Sequence, residues 1–267
     1  MKTVILSINK LNEDDSVEGF LEHTKLNVSH SISDRTDEAF LVTDNRQTAD
    51  IALKLGIGFA VYINGENDPS DFKEALYCID NISTMTDDAL VKMYERFEGI
   101  PWTILETDRC IIREITVEDA DRLYEIYSDK DVTRYIENLY ENREDEINHI
   151  IKYITHQYRF YEYGMWIVVS KETGSVIGRA GIFDRDNQDT TELGFMFEKA
   201  SWGKGIAKEV LMAIIGYAKE EHGIERLYAH VVSENVNSKK LLEKLGFKYV
   251  SEVKVDDNLF ERYEYNS

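Results

Sequence analysis

The residues best able to do chemistry lie between Glu192 and Phe247. The run Trp202-Gly203-Lys204-Gly205-Ile206-Ala207 reads as a glycine-containing turn that leaves a strand and opens a helix. The N–H groups of a helix start, with the helix dipole behind them, attract anions. Glycines at 203 and 205 let phosphate oxygens approach the backbone closely. No Gly-Lys-Ser or Gly-Lys-Thr is present, so the hydroxyl that a nucleotide-binding loop gives to magnesium is missing. A diphosphate held without metal fits this turn; an ordinary strand-to-helix turn is the competing reading.

Three side chains nearby could move protons. Glu192 begins the apolar strand Glu192-Leu193-Gly194-Phe195-Met196-Phe197. A carboxylate there could serve as a general base or simply sit in an ion pair. His230 alternates with Ala229 and Val231 and so faces the opposite way. It is either a second proton carrier or a hydrogen-bonded sheet-face histidine. Ser238 could donate a proton, cap a helix or bind a cofactor. The two cysteines, Cys78 and Cys110, stand in apolar runs without metal-ligand spacing. They read as buried thiols in a reducing cytoplasm, and no metal is expected.

The elements that must position these groups are readable from residue 110 onward. Strands are expected over 110–115, 165–170, 175–183, 191–197 and 226–231. Helices are expected from Thr116, which can cap an acidic first turn, over 144–158, and over 207–221. Upstream, a boundary falls near Gly99-Ile100-Pro101. Domains are therefore expected over 1–100 and 105–267. The first alternates short strands (3–8, 39–43, 58–63, 75–79) with helices (17–23, 47–55, 86–97), which is the pattern of a small parallel, Rossmann-like α/β sheet. Asp44-Asn45 can cap its second helix.

The totals narrow the function classes. The chain has 267 residues, 43% of them apolar, and a net charge of -20. Both halves are acidic, which argues against nucleic acid and anionic membranes, since phosphate binding needs clustered Lys and Arg. No apolar run approaches the ~20 residues that span a bilayer. The first residues read as a strand rather than a secretory leader, so a cytoplasmic location is expected.

Three linked motifs carry a resemblance from about Cys110 to Tyr265. They are Glu192-Leu193-Gly194-Phe195, then Trp202 to Gly205, then Asn235-x-x-Ser238 followed by Glu243-Lys244-Leu245-Gly246-Phe247. In this order they resemble the GNAT acyltransferase superfamily, in particular its branch acetylating the N-termini of ribosomal proteins. That resemblance implies an α+β fold, a mixed, mostly antiparallel sheet whose fourth and fifth strands splay. It implies an N-acetyltransferase moving acetyl from acetyl-CoA to a primary amine, either a peptide α-amine or a small-molecule amine, by direct attack. Carried over, Trp202, Gly203, Lys204, Gly205, Ile206 and Ala207 would hold the diphosphate. Phe195, Met196 and Phe197 would pair with the pantetheine arm, and Asn235 and Ser238 would contact the cofactor. Glu192 would be the base, with Ser238 as the proton donor. Many members carry a Tyr donor seven residues after the Asn, where this chain has Leu242. Arg113, Tyr135 and Trp166 would line the acceptor pocket, although Trp166 on an apolar strand also suits the core. The tyrosine-rich run 158–163 would form a rim or a subunit contact; a single sequence leaves a homodimer open. The alternative is a catalytically silent acyl-CoA-binding regulator.

Residues 43–57 resemble the C-terminal half of haloacid-dehalogenase-like domains. The Asp-x-Asp nucleophile expected after the first strand is missing, since that stretch reads Ile8-Asn9-Lys10-Leu11-Asn12. Phosphoryl transfer by that route cannot start. Asp44 is read as a helix cap in preference to a metal ligand, and the domain as degenerate, with a structural or binding role.

Overall fold

The computed structural model describes residues 1–34, 38–184, 190–255 and 258–266. The chain divides into two compact units, Met1–Trp102 and Thr103–Ser267.

The first unit runs β1 (Thr3–Ser7), α1 (Val17–Leu21), β2 (Asn27–Ser29), β3 (Ala39–Thr43), α2 (Arg46–Leu55), β4 (Gly58–Tyr62), β5 (Cys78–Ile79) and α3 (Asp87–Glu98). Its strands form one parallel sheet in the order β2-β1-β3-β4-β5. Strand alternation splits the apolar residues between two faces. Val4, Leu6, Phe40, Val42 and Tyr62 pack with Phe20, Leu90 and Tyr94. Ile5, Leu41, Phe59 and Val61 pack with Ala49 and Ala52 of α2. Asn45 caps α2, its side chain accepting from Thr48 N–H at 3.1 Å. Asp44 is therefore not the cap expected from the sequence. Cys110 is buried, but Cys78 is exposed, because β5 is a short edge strand.

The second unit begins one strand earlier than the sequence pattern suggests. β6 (Thr103–Glu106) pairs antiparallel with β7 (Cys110–Arg113). Then come α4 (Ala120–Tyr127), α5 (Arg143–Tyr153), α6 (Arg159–Tyr161), β8 (Met165–Ser170), β9 (Val176–Asp184), β10 (Thr191–Phe197), α7 (Ile206–His222), β11 (Arg226–Val231), α8 (Val236–Leu245), β12 (Lys248–Val255) and β13 (Asn258–Asn266). One eight-stranded sheet follows the order β12-β13-β11-β10-β9-β8-β7-β6. Its core includes Leu123, Ile150, Ile167, Ile182, Leu193, Leu211 and Ile214.

The helix expected over 144–158 stops at Tyr153 and widens into a π-turn, Ile154–Tyr158. A π-turn aligns side chains five residues apart. Here it brings Tyr153 and Tyr158 edge to face, 5.2 Å between centroids. Both phenols then reach Met165: its N–H donates to Tyr153 Oη at 2.7 Å, and Tyr158 Oη donates to its carbonyl at 2.6 Å. Burial pushes the Tyr158 phenol well above its ordinary pKa. At the other end of the run Phe160 is 80% exposed, so the tyrosine-rich stretch divides between core and surface.

Arg113 ties β7 to the entry of α4. Its Nη1 and Nη2 each lie 2.7 Å from an Asp119 carboxylate oxygen, and Nη1 also donates to the Glu114 carbonyl. Burial pushes the Asp119 carboxyl up, but hydrogen bonds from Arg113 and Thr116 outweigh it and hold the group below the ordinary carboxylate range. Arg113→Ala is expected to cost about 2 kcal/mol of stability in chemical denaturation. Because the folded value lies below the unfolded ~3.9, the pair's contribution is complete above that pH and fades as pH falls through the folded value. An acid titration of wild type against Arg113→Ala should therefore converge at low pH.

Candidate active site

The sheet of the second unit is continuous except between two parallel neighbours. β9 and β10 stay paired from Thr191↔Asp184 to Phe197↔Gly178. β11 and β13 stay paired from Arg226↔Asn266 to Val231↔Glu261. Between β10 and β11 the register holds only at Glu192↔Tyr228. Beyond that point the strands part, and the edge of β10 over 193–197 faces a gap. Backbone groups on an unpaired edge need other partners. Met196 and Phe197 are buried there and Phe195 is half-buried.

Past the open end of β10 the chain makes a 3₁₀ turn, Lys199–Ser201, and enters the glycine loop. Gly203 and Gly205 sit at φ 73° and 78°, left-handed values that favour glycine. Gly205 is the residue before α7, and no side chain caps that helix. A helix start uncapped by its own side chains and opened by two left-handed glycines suits an incoming anion. Trp202 through Gly205 are exposed, and Ile206 and Ala207 half-buried. The Trp202 indole donates to the Phe197 carbonyl at 2.8 Å. It therefore fastens the loop to the strand end, and Phe197's carbonyl is engaged inside the protein.

Glu192 lies at the apex of the gap and is 2% exposed. His230 Nδ1 stands 2.9 Å from Glu192 Oε1, both side chains almost fully buried, at 4% and 3% exposure. The contact lacks the alignment of a hydrogen bond, so the two groups are paired by proximity alone. The two proton-moving candidates are thus one pair. Sequence alternation put each on a strand face but could not show that they meet.

Asn235 caps α8, its Oδ1 accepting from Ser238 N–H at 3.2 Å. The cap belongs to Asn235 and not to Ser238, whose half-buried side chain stands in the first turn of α8. Leu242 is completely buried in the core, so nothing at that position can donate a proton. Tyr135 is half-buried and its hydroxyl donates to the Glu234 carbonyl at 3.2 Å, beside Asn235. Of the three residues expected to meet an acceptor, it alone reaches this region. Arg113 is engaged with Asp119. Trp166 is fully buried, its ring edge-on to Tyr217 of α7 at 5.6 Å. Both residues thus make structural contacts within the chain.

Sequence reasoning missed Arg109. It sits in the turn between β6 and β7 and bonds to Glu209 of α7 and to the Lys204 carbonyl. No motif marks it, since its partners lie about a hundred positions downstream.

The first unit has a second polar cluster at the C-terminal ends of β1 and β3, the point where its strand order reverses. Open α/β sheets usually bind ligands at such a point. Here the Asp44 carboxylate accepts from Asn9 N–H at 2.9 Å, Lys10 N–H at 3.0 Å and Asn64 Nδ2 at 2.9 Å. The protein's own anion thus occupies these donors. Among the described residues no group of three His, Cys, Asp or Glu is arranged to hold a metal.

A mostly antiparallel sheet split between two parallel strands, with a glycine-opened helix beyond the split, defines an acetyltransferase fold. Residues 109–248 match the family model described as the acetyltransferase (GNAT) domain. The chain is 32% identical over 148 residues to YoaA of Bacillus subtilis, described as an uncharacterized N-acetyltransferase, covering 54% of this chain and 82% of that one. A putative ribosomal-protein-serine acetyltransferase from Vibrio cholerae superposes with a TM-score of 0.54 at 18% identity, over 62% of this chain and 98% of its own. A microcin C7 self-immunity acetyltransferase, solved with acetyl-CoA and AMP, superposes at 0.52 with 14% identity, over 62% of this chain and 99% of its own. The chain belongs to the GNAT acetyltransferase family.

Gly203→Ala is expected to lose ~1–2 kcal/mol of stability, the cost of a left-handed residue with a Cβ. No atom stands within 4 Å of the added methyl, so the effect should be backbone strain alone. Chemical denaturation checks this, with Gly216→Ala, a helical glycine with equally open space, as the control expected to be neutral or stabilising.

Proposed function

We propose that this protein moves an acetyl group from acetyl-CoA to a primary amine, a peptide α-amine or a small-molecule amine, by direct attack. The observation that carries this reading is the buried Glu192–His230 pair at the apex of the gap between β10 and β11. Acetyl-CoA enters from the open end of the gap. Its diphosphate lies on the amides from Trp202 to Ala207, and its pantetheine arm lies along the free edge of β10. Asn235 and Ser238 contact it from the start of α8. The thioester then comes to rest near Glu192.

The acceptor amine is mostly protonated at neutral pH and must lose a proton before it can attack. Glu192 takes that proton, and His230, at 2.9 Å, stabilises the charge or passes the proton on. The amine nitrogen bonds to the thioester carbon, and a backbone N–H of β10 steadies the oxyanion. The C–S bond breaks as the carbonyl re-forms. The CoA thiolate leaves, the attacking nitrogen gives up its second proton as the amide forms, and a proton reaches the thiolate through the Ser238 hydroxyl or water, so that Ser238 ends neutral. Tyr135 borders the acceptor's approach.

The same reading assigns the first unit a structural or binding role without phosphatase chemistry. Support comes from the carboxylate already seated on the Asn9 and Lys10 amides. A cytoplasmic setting agrees with the free thiols of Cys78 and Cys110.

A panel of peptides and small amines with acetyl-CoA, followed by thiol release, tests the activity. With an acceptor in hand, Glu192→Gln should lower kcat by about 100-fold or more while KM for acetyl-CoA stays within a few-fold. An unchanged kcat removes Glu192 from the mechanism. Ser238→Ala separates the donor role from simple binding: a fall in kcat supports the former, a rise in KM alone the latter.

A further inference from the structure

The glycine loop is held by a residue from the far edge of the sheet. Arg109 lies in the β6–β7 turn, where Thr107 and Cys110 close on one another, the Cys110 N–H donating to Thr107 Oγ1 at 3.0 Å. From there it makes three bonds. Its backbone N–H donates to Glu209 Oε1 at 3.0 Å and its Nε to Glu209 Oε2 at 2.6 Å. Its Nη1 donates to the Lys204 carbonyl at 2.9 Å, in the middle of the Gly203-Lys204-Gly205 turn. Nη2 takes part in none of these bonds and stands 3.7 Å from the point a Cβ on Gly205 would occupy.

Glu209 makes this arrangement necessary. It lies in the first turn of α7, next to the amides proposed to receive a diphosphate. Burial pushes its carboxyl up, but hydrogen bonds from Thr107 and Arg109 outweigh that and keep it below the ordinary range, so it is ionised. An unpaired carboxylate there suits an empty helix start but repels a second anion.

Resting on the acetyl-CoA reading above, we propose that Arg109 is a positioning residue for the CoA diphosphate. It cancels the Glu209 charge, fixes the glycine turn through the Lys204 carbonyl and presents Nη2 beside Gly205 to a phosphate oxygen. A guanidinium suits these three tasks because its rigid planar fork holds donors at fixed, separated positions, whereas an ammonium is a compact point charge on a flexible stem.

The test measures full-length protein binding to CoA by calorimetry and to pantetheine, which lacks the diphosphate, by NMR titration. Arg109→Ala should weaken CoA about 10- to 100-fold, the range of a charged hydrogen bond, and leave pantetheine affinity unchanged. Arg109→Lys, which keeps the charge and guards against a folding failure, should fall between. Arg109→Ala combined with Glu209→Gln should recover part of the loss, because the repelling charge is gone. The inference is overturned if Arg109→Ala binds CoA as tightly as the unaltered chain, or loses CoA and pantetheine alike. If the unaltered chain takes up no CoA, the acetyl-CoA reading falls and this inference with it.

Discussion

The site depends on a pair of parallel strands that stay joined at one position only. β10 and β11 meet at Glu192↔Tyr228, and each is fully paired on its other side. Antiparallel partners therefore hold both strands firmly while they diverge from one another. The result is a fixed notch with unpaired backbone along one wall, inside an otherwise closed sheet. Backbone groups left open in this way favour an extended ligand that can bond along them, as an added strand would. The same divergence sets Glu192 and His230 side by side at the apex, where nearly all solvent is excluded and electrostatic effects are strong.

Charge raises a problem that local structure solves. The protein carries a net charge of -20, yet the proposed cosubstrate is itself an anion. At physiological ionic strength distant charges are screened beyond about 8 Å, so the immediate surroundings decide. There the start of α7, Lys204 and the Arg109 fork meet, and Arg109 neutralises the one carboxylate in that helix's first turn.

Much of the fold was legible in the sequence, because alternation and helical periodicity are local. β3 was read to the residue, and the glycine loop was found because positive φ has few alternatives to glycine. The sequence reading does not contain β2 and β6, since strands of three and four residues carry too little pattern, nor β12 and β13, whose longer runs carry many charged and polar residues. The π-turn after α5 was read as plain helix, since the two tyrosines reach a common backbone segment only in three dimensions. Asp44 stands at a capping position by sequence, just before a helix, but its oxygens serve the end of β1.

From the sequence alone came the family resemblance, the order of the elements from β7 to β11, the glycine-opened helix and the substitution of Leu242 for a donor. Each rests on residue types at short spacing, where backbone geometry limits the choices. Only tertiary structure could decide that Glu192 touches His230, that Arg113 is engaged by Asp119, that Trp166 lies beneath Tyr217, and that Arg109 grips the loop. Such contacts join residues far apart in the chain. They follow from strand register and helix packing, which depend on the whole core at once.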